Sequence, residues 1–121
     1  MAAVQCFEHA LAAHGAEAMR PLRLVSFEID LDPLRLALRF ASHFPHLHHG
    51  APHDLLAQGH WDHASDLLHW KLHHGDFLGF LESSPVPDLI FYDPFSSKTD
   101  RGLWTPAVFA RLFHHCRPPR L

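Results

Sequence analysis

The sequence is short of cysteine and of long apolar runs, and it has no large excess of either charge. Its 121 residues contain two cysteines, Cys6 and Cys116, which are too few for a disulfide framework or a zinc knuckle. No stretch reaches the apolar length that spans a bilayer, and Glu8 and His9 interrupt the start, where a signal peptide would be apolar. Ten Lys and Arg against 13 Asp and Glu give a net charge of -3, which excludes a generic basic nucleic-acid binder and an acidic disordered tail. We therefore expect one globular domain in the cytoplasm, with no membrane partner.

Histidine, by contrast, is abundant, with 14 residues. Imidazole is the commonest transition-metal ligand, and seven of the histidines crowd the middle of the chain. No cysteine lies among them, and His69 and His73 alternate with apolar residues as the solvent-facing side chains of a strand do. We predict no purpose-built metal site, although a His-rich metal-binding protein remains an alternative. The crowded seven are His43, His46, His48, His49, His53, His60 and His63.

The periodicity of apolar residues predicts an α/β protein. Strands are indicated where apolar runs or period-two alternation occur, and helices where apolar residues recur at helical spacing, with Gly15, Gly59 and Thr105-Pro106 as boundary signals. The order of elements favours a mainly parallel sheet with helices on both faces and an inserted hairpin. The predicted helices cover 2–14, 33–43, 52–58, 77–82 and 106–115, and the predicted strands cover 22–28, 68–73 with a hairpin partner starting at Trp61, and 88–93.

Three acids stand at the carboxyl ends of the three strongest strand predictions: Glu28, Asp76 and Asp93. In an open α/β sheet that edge is where ligands bind, so these acids are candidates for one crevice. Acids placed there can accept hydrogen bonds from ribose hydroxyls or from an exocyclic amine. The alternative is that strand-to-loop junctions favour Asp and Glu because these residues form turns and caps.

A more specific pattern lies near the carboxyl terminus. Residues 88–105 form an apolar run, an Asp-x-Phe sequence at 93–95, a short loop of Ser, Lys and Thr, and a Leu-Trp pair at 103–104 before a helix. This stretch resembles the signature of the MnmC-like methyltransferase domain. Residues 25–28 and 72–76 resemble that family's ribose-side acid and its Gly-Asp element, in the same order along the chain.

The resemblance implies a Rossmann-like, S-adenosylmethionine-dependent enzyme. Members of the family methylate the aminomethyl group on the wobble uridine of certain tRNAs, which completes 5-methylaminomethyl-2-thiouridine. In some bacteria the domain is fused to a flavin-dependent oxidoreductase that acts on the same modification, so a part in such a bifunctional protein is a further possibility. Glu28 matches the acid that binds the cofactor ribose, and Asp76 matches the acid near the adenine.

The same resemblance implies the substrate side of the site. Asp93 matches the acid at the reacting end, where a carboxylate can orient the substrate amine and accept its proton. Phe95 and Trp104 match residues that shape the pocket for the uridine, although ordinary packing would also explain these two aromatic side chains. Lys98 belongs to residues 94–121, which contain five Lys and Arg and one acid, Asp100. This excess of positive charge suits contact with an RNA phosphate backbone.

The chain also departs from the family pattern. It has six glycines and no Gly-x-Gly, whereas such folds begin with a strand and a glycine-rich turn that approaches the cofactor. We therefore expect residues 1–121 to be one partial domain, an interior fragment that lacks this turn and the carboxyl-terminal part and is inactive by itself. A missing strand would leave a sheet edge unpaired, through which the chain could self-associate. The alternative is a non-catalytic remnant or interaction module of the same fold.

Overall fold

The computed structural model describes residues 1–94 and 100–116 and contains two compact units, Met1–Phe77 and Leu78–Leu121. Each unit is considered by itself. The first holds α1 (Ala2–His14), β1 (Leu22–Glu28), α2 (Asp32–Arg39), α3 (Gly50–Gln58), β2 (His60–Asp62) and β3 (Leu68–His74). A short α4 (Phe77–Phe80) begins at the last residue of the first unit, and the second unit contains α5 (Pro106–His115). Short 3₁₀ turns cover Ala16–Ala18, Ala41–His43, Pro45–His48, Leu81–Ser83 and Arg101–Leu103.

Most predicted helices are confirmed, because their boundary signals are local. α1 ends at Gly15, whose φ of 80° suits glycine and whose N–H donates to the Leu11 carbonyl. α3 ends at Gly59 in the left-handed conformation, with its N–H bonded to the Leu55 carbonyl. α5 begins after Thr105, whose hydroxyl accepts a bond from the Val108 N–H. The helix predicted over 33–43 is shorter than expected, since α2 stops at Arg39 and a 3₁₀ turn follows.

The sheet has three strands among the described residues, in the order β1-β3-β2. β1 pairs with β3 in parallel, from Leu22 opposite Leu68 to Glu28 opposite His74, and β2 pairs with β3 antiparallel. The sheet is therefore mixed, and the prediction of a mainly parallel sheet is wrong. The hairpin of β2 and β3 was predicted, but the strand predicted over 88–93 does not form. One parallel and one antiparallel pair therefore remain among the described residues.

The core of the first unit joins α1 and α3 to β2 and β3. Its two most completely buried large side chains are Val4 of α1 and Leu68 of β3. Burial of apolar surface on this scale is the main force that holds small helices on a sheet. The buried cluster consists of Val4, Phe7, Ala51, Leu55, Trp61 and Leu68.

The strand predicted over 88–93 does not form. This segment has no regular secondary structure, and Leu89 and Phe91 are 72% and 88% exposed. A strand is stable only where neighbouring strands satisfy its N–H and C=O groups, and the described part of the second unit contains a helix and turns but no strand. In the described residues, no helix is long and apolar enough to cross a membrane.

Candidate functional site

The carboxyl end of the β1–β3 pair brings two of the predicted site acids together. Glu28 closes β1 opposite His74, and Asp76 follows β3 after a single glycine. The Gly75 N–H donates to the Glu28 carbonyl at 2.9 Å, so the parallel pairing continues to the last residue of β1. Adjacent parallel strands end at the same sheet edge, which is why the sequence could predict this pair. We call this end of the two strands, with Glu28, His74, Gly75 and Asp76, the acidic edge.

The carboxylate of Glu28 also orders the loop that follows β1. Its Oε1 accepts a bond from the Asp30 N–H at 3.2 Å, and the Asp30 carboxylate accepts one from the Asp32 N–H at 2.9 Å. The His74 ring donates from Nε2 to the Ile29 carbonyl at 3.2 Å and so fastens this loop to β3. Glu28 is exposed, and a carboxylate has about four lone-pair positions, so one backbone bond leaves room for a ligand. The turn-forming and ligand-binding interpretations of Glu28 are therefore compatible.

Stacked rings lie beside the acidic edge. Phe27 and His73 are register partners, and their rings stack with centroids 5.3 Å apart and an interplanar angle of 14°. Phe77 tilts against Phe27 with centroids 6.2 Å apart. Burial, with a smaller contribution from the Lys71 charge, lowers the pKa of His73, which favours the neutral ring near pH 7. The sequence does not predict this stack, because the contact between the two rings depends on the register of β1 against β3.

The other predicted site residues belong to the second unit or lie outside the described residues. Asp93 and Trp104 belong to the second unit, and Phe95 and Lys98 lie outside the described residues. Asp93 is exposed, at the end of the segment that forms no strand. Its predicted position at the carboxyl end of a strand is therefore wrong, although its chemical role remains a prediction.

Trp104 takes part in a small aromatic cluster of the second unit. Its ring meets Tyr92 edge-on at 5.4 Å and Phe109 at 6.1 Å. The Tyr92 hydroxyl donates to the Leu103 carbonyl, and burial, followed by the Asp100 charge, raises the pKa of Tyr92. The indole N–H of Trp104 is buried without a hydrogen-bond partner among the residues that the structure describes. Packing explains the Trp104 ring, whereas its buried N–H is a donor that a ligand oxygen would satisfy.

Several histidines of the crowded segment have structural partners. The His49 Nδ1 accepts a bond from the Ala51 N–H at the start of α3, while its Nε2 donates to Glu8 at 2.8 Å. The His63 Nδ1 accepts a bond from the Ser65 N–H at 3.0 Å, and His53 donates to the Leu47 carbonyl at 2.8 Å. Within residues 1–94 and 100–116, no three His, Cys, Asp or Glu side chains are grouped to hold a metal ion. These histidines cap helices and tie turns.

Comparison with known proteins adds no further information about the site. No family model, no curated protein and no solved structure matches the chain. The likeness of residues 88–105 to the MnmC-like signature therefore stays a prediction.

Proposed function

We propose that the acidic edge binds the adenosyl half of S-adenosylmethionine and that the chain takes part, in the cytoplasm, in N-methylation of 5-aminomethyl-2-thiouridine in tRNA. One observation carries the proposal: parallel pairing of β1 with β3 puts Glu28 and Asp76 at one sheet edge. In the proposed fold, β1 and β3 are neighbouring strands of a partial Rossmann-like sheet. Ligands of such sheets bind at the carboxyl ends of the strands.

The side chains at this edge suit a nucleoside. The Glu28 carboxylate accepts hydrogen bonds from the ribose hydroxyls, and Asp76 accepts one from the exocyclic amine of adenine. The stacked pair of Phe27 and His73 gives the edge an aromatic neighbour of the kind that nucleobases contact. No Gly-x-Gly occurs in the sequence, so no glycine-rich turn approaches the ligand closely and binding is weak.

The catalytic part of the proposal assigns roles in the second unit. When bound, S-adenosylmethionine supplies an electrophilic methyl group that needs a neutral amine in line with it. The Asp93 carboxylate orients the substrate amine and accepts the proton that the amine loses, directly or through water. Phe95 and Trp104 contact the uridine ring, and Lys98 contacts the RNA backbone.

A second candidate function is that of a non-catalytic interaction module. The observation that favours it is the exposed apolar segment of the second unit, where Leu89 and Phe91 lie largely in solvent. Contiguous exposed apolar surface on a soluble protein commonly marks a contact site for another macromolecule. Cofactor binding at the acidic edge separates the two functions, because the interaction module does not need it.

Titration with S-adenosylhomocysteine, followed by amide NMR, tests the cofactor site. We expect shift changes at Ile29, Gly75 and Asp76, with a dissociation constant of about 1 mM, which corresponds to roughly −4 kcal/mol. Glu28→Gln retains the oxygen that bonds the Asp30 N–H but loses the charge, and should weaken binding about tenfold, whereas Glu17→Gln on an exposed turn should not. Absence of shift changes at the edge, or equal binding by Glu28→Gln, would contradict the site.

Methyl transfer tests the catalytic role. In an assay that follows a labelled methyl group to tRNA carrying 5-aminomethyl-2-thiouridine, Asp93→Asn in a protein that contains the complete domain should lower turnover about a hundredfold. Asp88→Asn is a matched control, because it alters another exposed acid of the same segment. Equal turnover by the two variants would remove the role assigned to Asp93.

A further inference from the structure

We propose that the β2–β3 hairpin contains a proton-binding site, in which His69 as an imidazolium ion bridges Asp62 of the facing strand and Asp66 of the connecting loop. We call these three residues the hairpin bridge. The proposal is independent of cofactor binding and of tRNA. Protonated His69 holds the loop over 63–67 to β3 through Asp66.

The geometry of the hairpin bridge places oxygen atoms at both ring nitrogens of His69. Asp62 lies directly opposite His69 in the antiparallel register, and its Oδ1 is 2.6 Å from the His69 Nδ1. On the other side, the His69 Nε2 is 3.1 Å from the Asp66 carbonyl and 3.3 Å from the Asp66 Oδ1. One imidazole ring therefore reaches both a strand and the loop that follows it.

Only one protonation state of His69 satisfies this arrangement. A neutral imidazole has a single N–H donor, whereas an ionised carboxylate and a backbone carbonyl are acceptors without a proton to give. If His69 were neutral, one ring nitrogen would present a lone pair to an oxygen of Asp62 or Asp66. The imidazolium ion has an N–H on each side and donates to both, and hydrogen bonds of this charge-assisted kind are the stronger ones.

Some charged groups around His69 favour its protonation, and others oppose it. His60 approaches the second oxygen of Asp62, with its Nδ1 3.8 Å from Oδ2, and competes weakly for that carboxylate. On β1, Arg23 is the register partner of His69, and Lys71 lies two residues further along β3, so two cations oppose the added charge. The hydrogen bond to Asp62 is the largest influence and, with Asp66, raises the pKa of His69 above its ordinary value of 6.5 against a smaller effect of burial.

The hairpin bridge acts on the loop over 63–67 at Asp66. Asp66 has a φ of 61°, and no other non-glycine residue among those described has a positive φ. This conformation is unfavourable for an L residue unless its surroundings favour it. The loop is also held by backbone bonds from the His63 N–H to the Leu68 carbonyl and from the Asp66 N–H to the His63 carbonyl, each at 2.9 Å, and from the Leu22 N–H to the Leu67 carbonyl at 2.7 Å. Within the loop, the Ser65 hydroxyl accepts a bond from the Leu67 N–H at 3.2 Å. Loss of one His69 hydrogen bond should therefore first increase the opening of the loop near Asp66.

The direction of the pH dependence follows from the raised pKa. The stabilising contribution is complete below pH 6.5, where His69 is charged in the folded and unfolded chain, and it is lost as the pH rises through the folded-state pKa. His69 lies at the surface, so the change is local and small compared with the stability of the core. The loop should open more often in mildly alkaline than in mildly acidic solution.

Histidine NMR titration of the full chain tests the proposal. We expect the His69 midpoint to lie above 6.5 and the ring to carry protons on both nitrogens at pH 6. Asp62→Asn keeps the shape of the side chain and removes its charge, and it should lower the His69 midpoint back toward 6.5. Asp54→Asn on α3 is the matched control and should leave the midpoint unchanged. A His69 midpoint at or below 6.5, or one that Asp62→Asn does not lower, would overturn the proposal.

Amide exchange provides a second readout that does not depend on the midpoint. After correction for the intrinsic effect of pH, protection of the Asp66 amide should fall about threefold between pH 6 and pH 8 in the unaltered chain. In His69→Gln this pH dependence should disappear, because glutamine does not titrate. Asp66→Asn should keep part of the dependence, since the His69 Nε2 also meets the Asp66 backbone carbonyl. Unchanged pH dependence in His69→Gln would also overturn the proposal.

Discussion

β3 and the segment over 88–93 are both rich in large apolar and aromatic residues, yet only β3 is a strand. β3 lies between two neighbours, with β1 parallel on one side and β2 antiparallel on the other. The segment over 88–93 has no such neighbour among the described residues, and its Leu89 and Phe91 face solvent. The difference shows that a strand is decided by partners and burial more than by the intrinsic preference of its residues.

The partners of β3 arise from chain connections within its own unit. β2 reaches it through the short loop over 63–67, and β1 reaches it through a crossover that includes α2 and α3. Within the crossover, α3 buries Ala51 and Leu55, and Leu68 at the start of β3 is fully buried in the same cluster. In the second unit, α5 buries Val108 and Leu112, but the described residues offer no strand beside which residues 88–93 could pair. Apolar content without a sheet partner leaves the segment exposed.

The strongest test of this comparison replaces one leucine in each segment. Leu68→Ala removes buried methyl groups from the core of the first unit and should reduce the free energy of unfolding by about 2–5 kcal/mol. Leu89→Ala shortens a side chain that is 72% exposed and should change it by no more than about 0.5 kcal/mol. Urea denaturation followed by far-ultraviolet circular dichroism gives both values.

The same pair of variants can also contradict the contrast between β3 and residues 88–93. If Leu89→Ala destabilises the chain as much as Leu68→Ala, residues 88–93 bury apolar surface in solution and the contrast with β3 is wrong. Leu36→Ala is a matched control, because it removes a leucine that is 57% exposed from α2 of the first unit. Its effect on the free energy of unfolding should be as small as that of Leu89→Ala, because the exposure of the leucine decides the loss of stability and the unit in which it lies does not.

The sequence predictions are correct where the structural cause lies within a few residues and wrong where it lies in a distant part of the chain. Caps and stops such as Gly15, Gly59 and Thr105 act within a few residues, so the helices that they bound were predictable. The failure of 88–93 to form a strand depends on what surrounds it, and periodicity carries no information about that. At the candidate site, the position of Glu28 and Asp76 at one sheet edge was predictable, because Glu28 ends β1 and Asp76 comes two residues after the end of β3.

Other contacts at the candidate site depend on register, which the sequence does not reveal. The Phe27 and His73 rings stack because these two residues are direct partners across the parallel pair. In the same way, His69 meets Asp62 because the hairpin places them opposite each other. A shift of one residue in either pairing would send the partners to opposite faces of the sheet. These contacts therefore become visible only in the folded chain.

Removal of the cap at the start of α5 should destabilise the second unit by an amount between those expected for Leu68→Ala and Leu89→Ala. The Thr105 hydroxyl accepts a bond from the Val108 N–H at 3.3 Å, so Thr105→Ala should weaken the helix by about 1 kcal/mol. Thr105→Ser keeps the hydroxyl and should lose much less. Hydrogen exchange of the α5 amides measures the difference. Equal exchange in the two variants would mean that the order of α5 does not depend on its cap.

The smallest effect is expected at the ion pair that ties α5 to the turn over Leu81–Ser83. Arg111 donates from Nη2 to the Glu82 Oε1 at 2.6 Å and from the same nitrogen to the Leu78 carbonyl at 2.9 Å. The guanidinium hydrogen bond lowers the pKa of Glu82 below its ordinary value of 4.5. The stabilising contribution is therefore present above pH 4.5 and is lost as the pH falls through the folded-state pKa.

Carboxyl NMR titration measures this effect directly. Arg111→Gln should return the Glu82 midpoint toward 4.5, whereas Arg101→Gln, at another exposed cation of the unit, should leave it in place. Because both partners are largely exposed, solvent screens the pair and the change in global stability should be much smaller than for Leu68→Ala. A Glu82 midpoint that Arg111→Gln does not move would mean that the pair is not formed in solution. The order of α5 would then depend on its cap and on the burial of Val108 and Leu112.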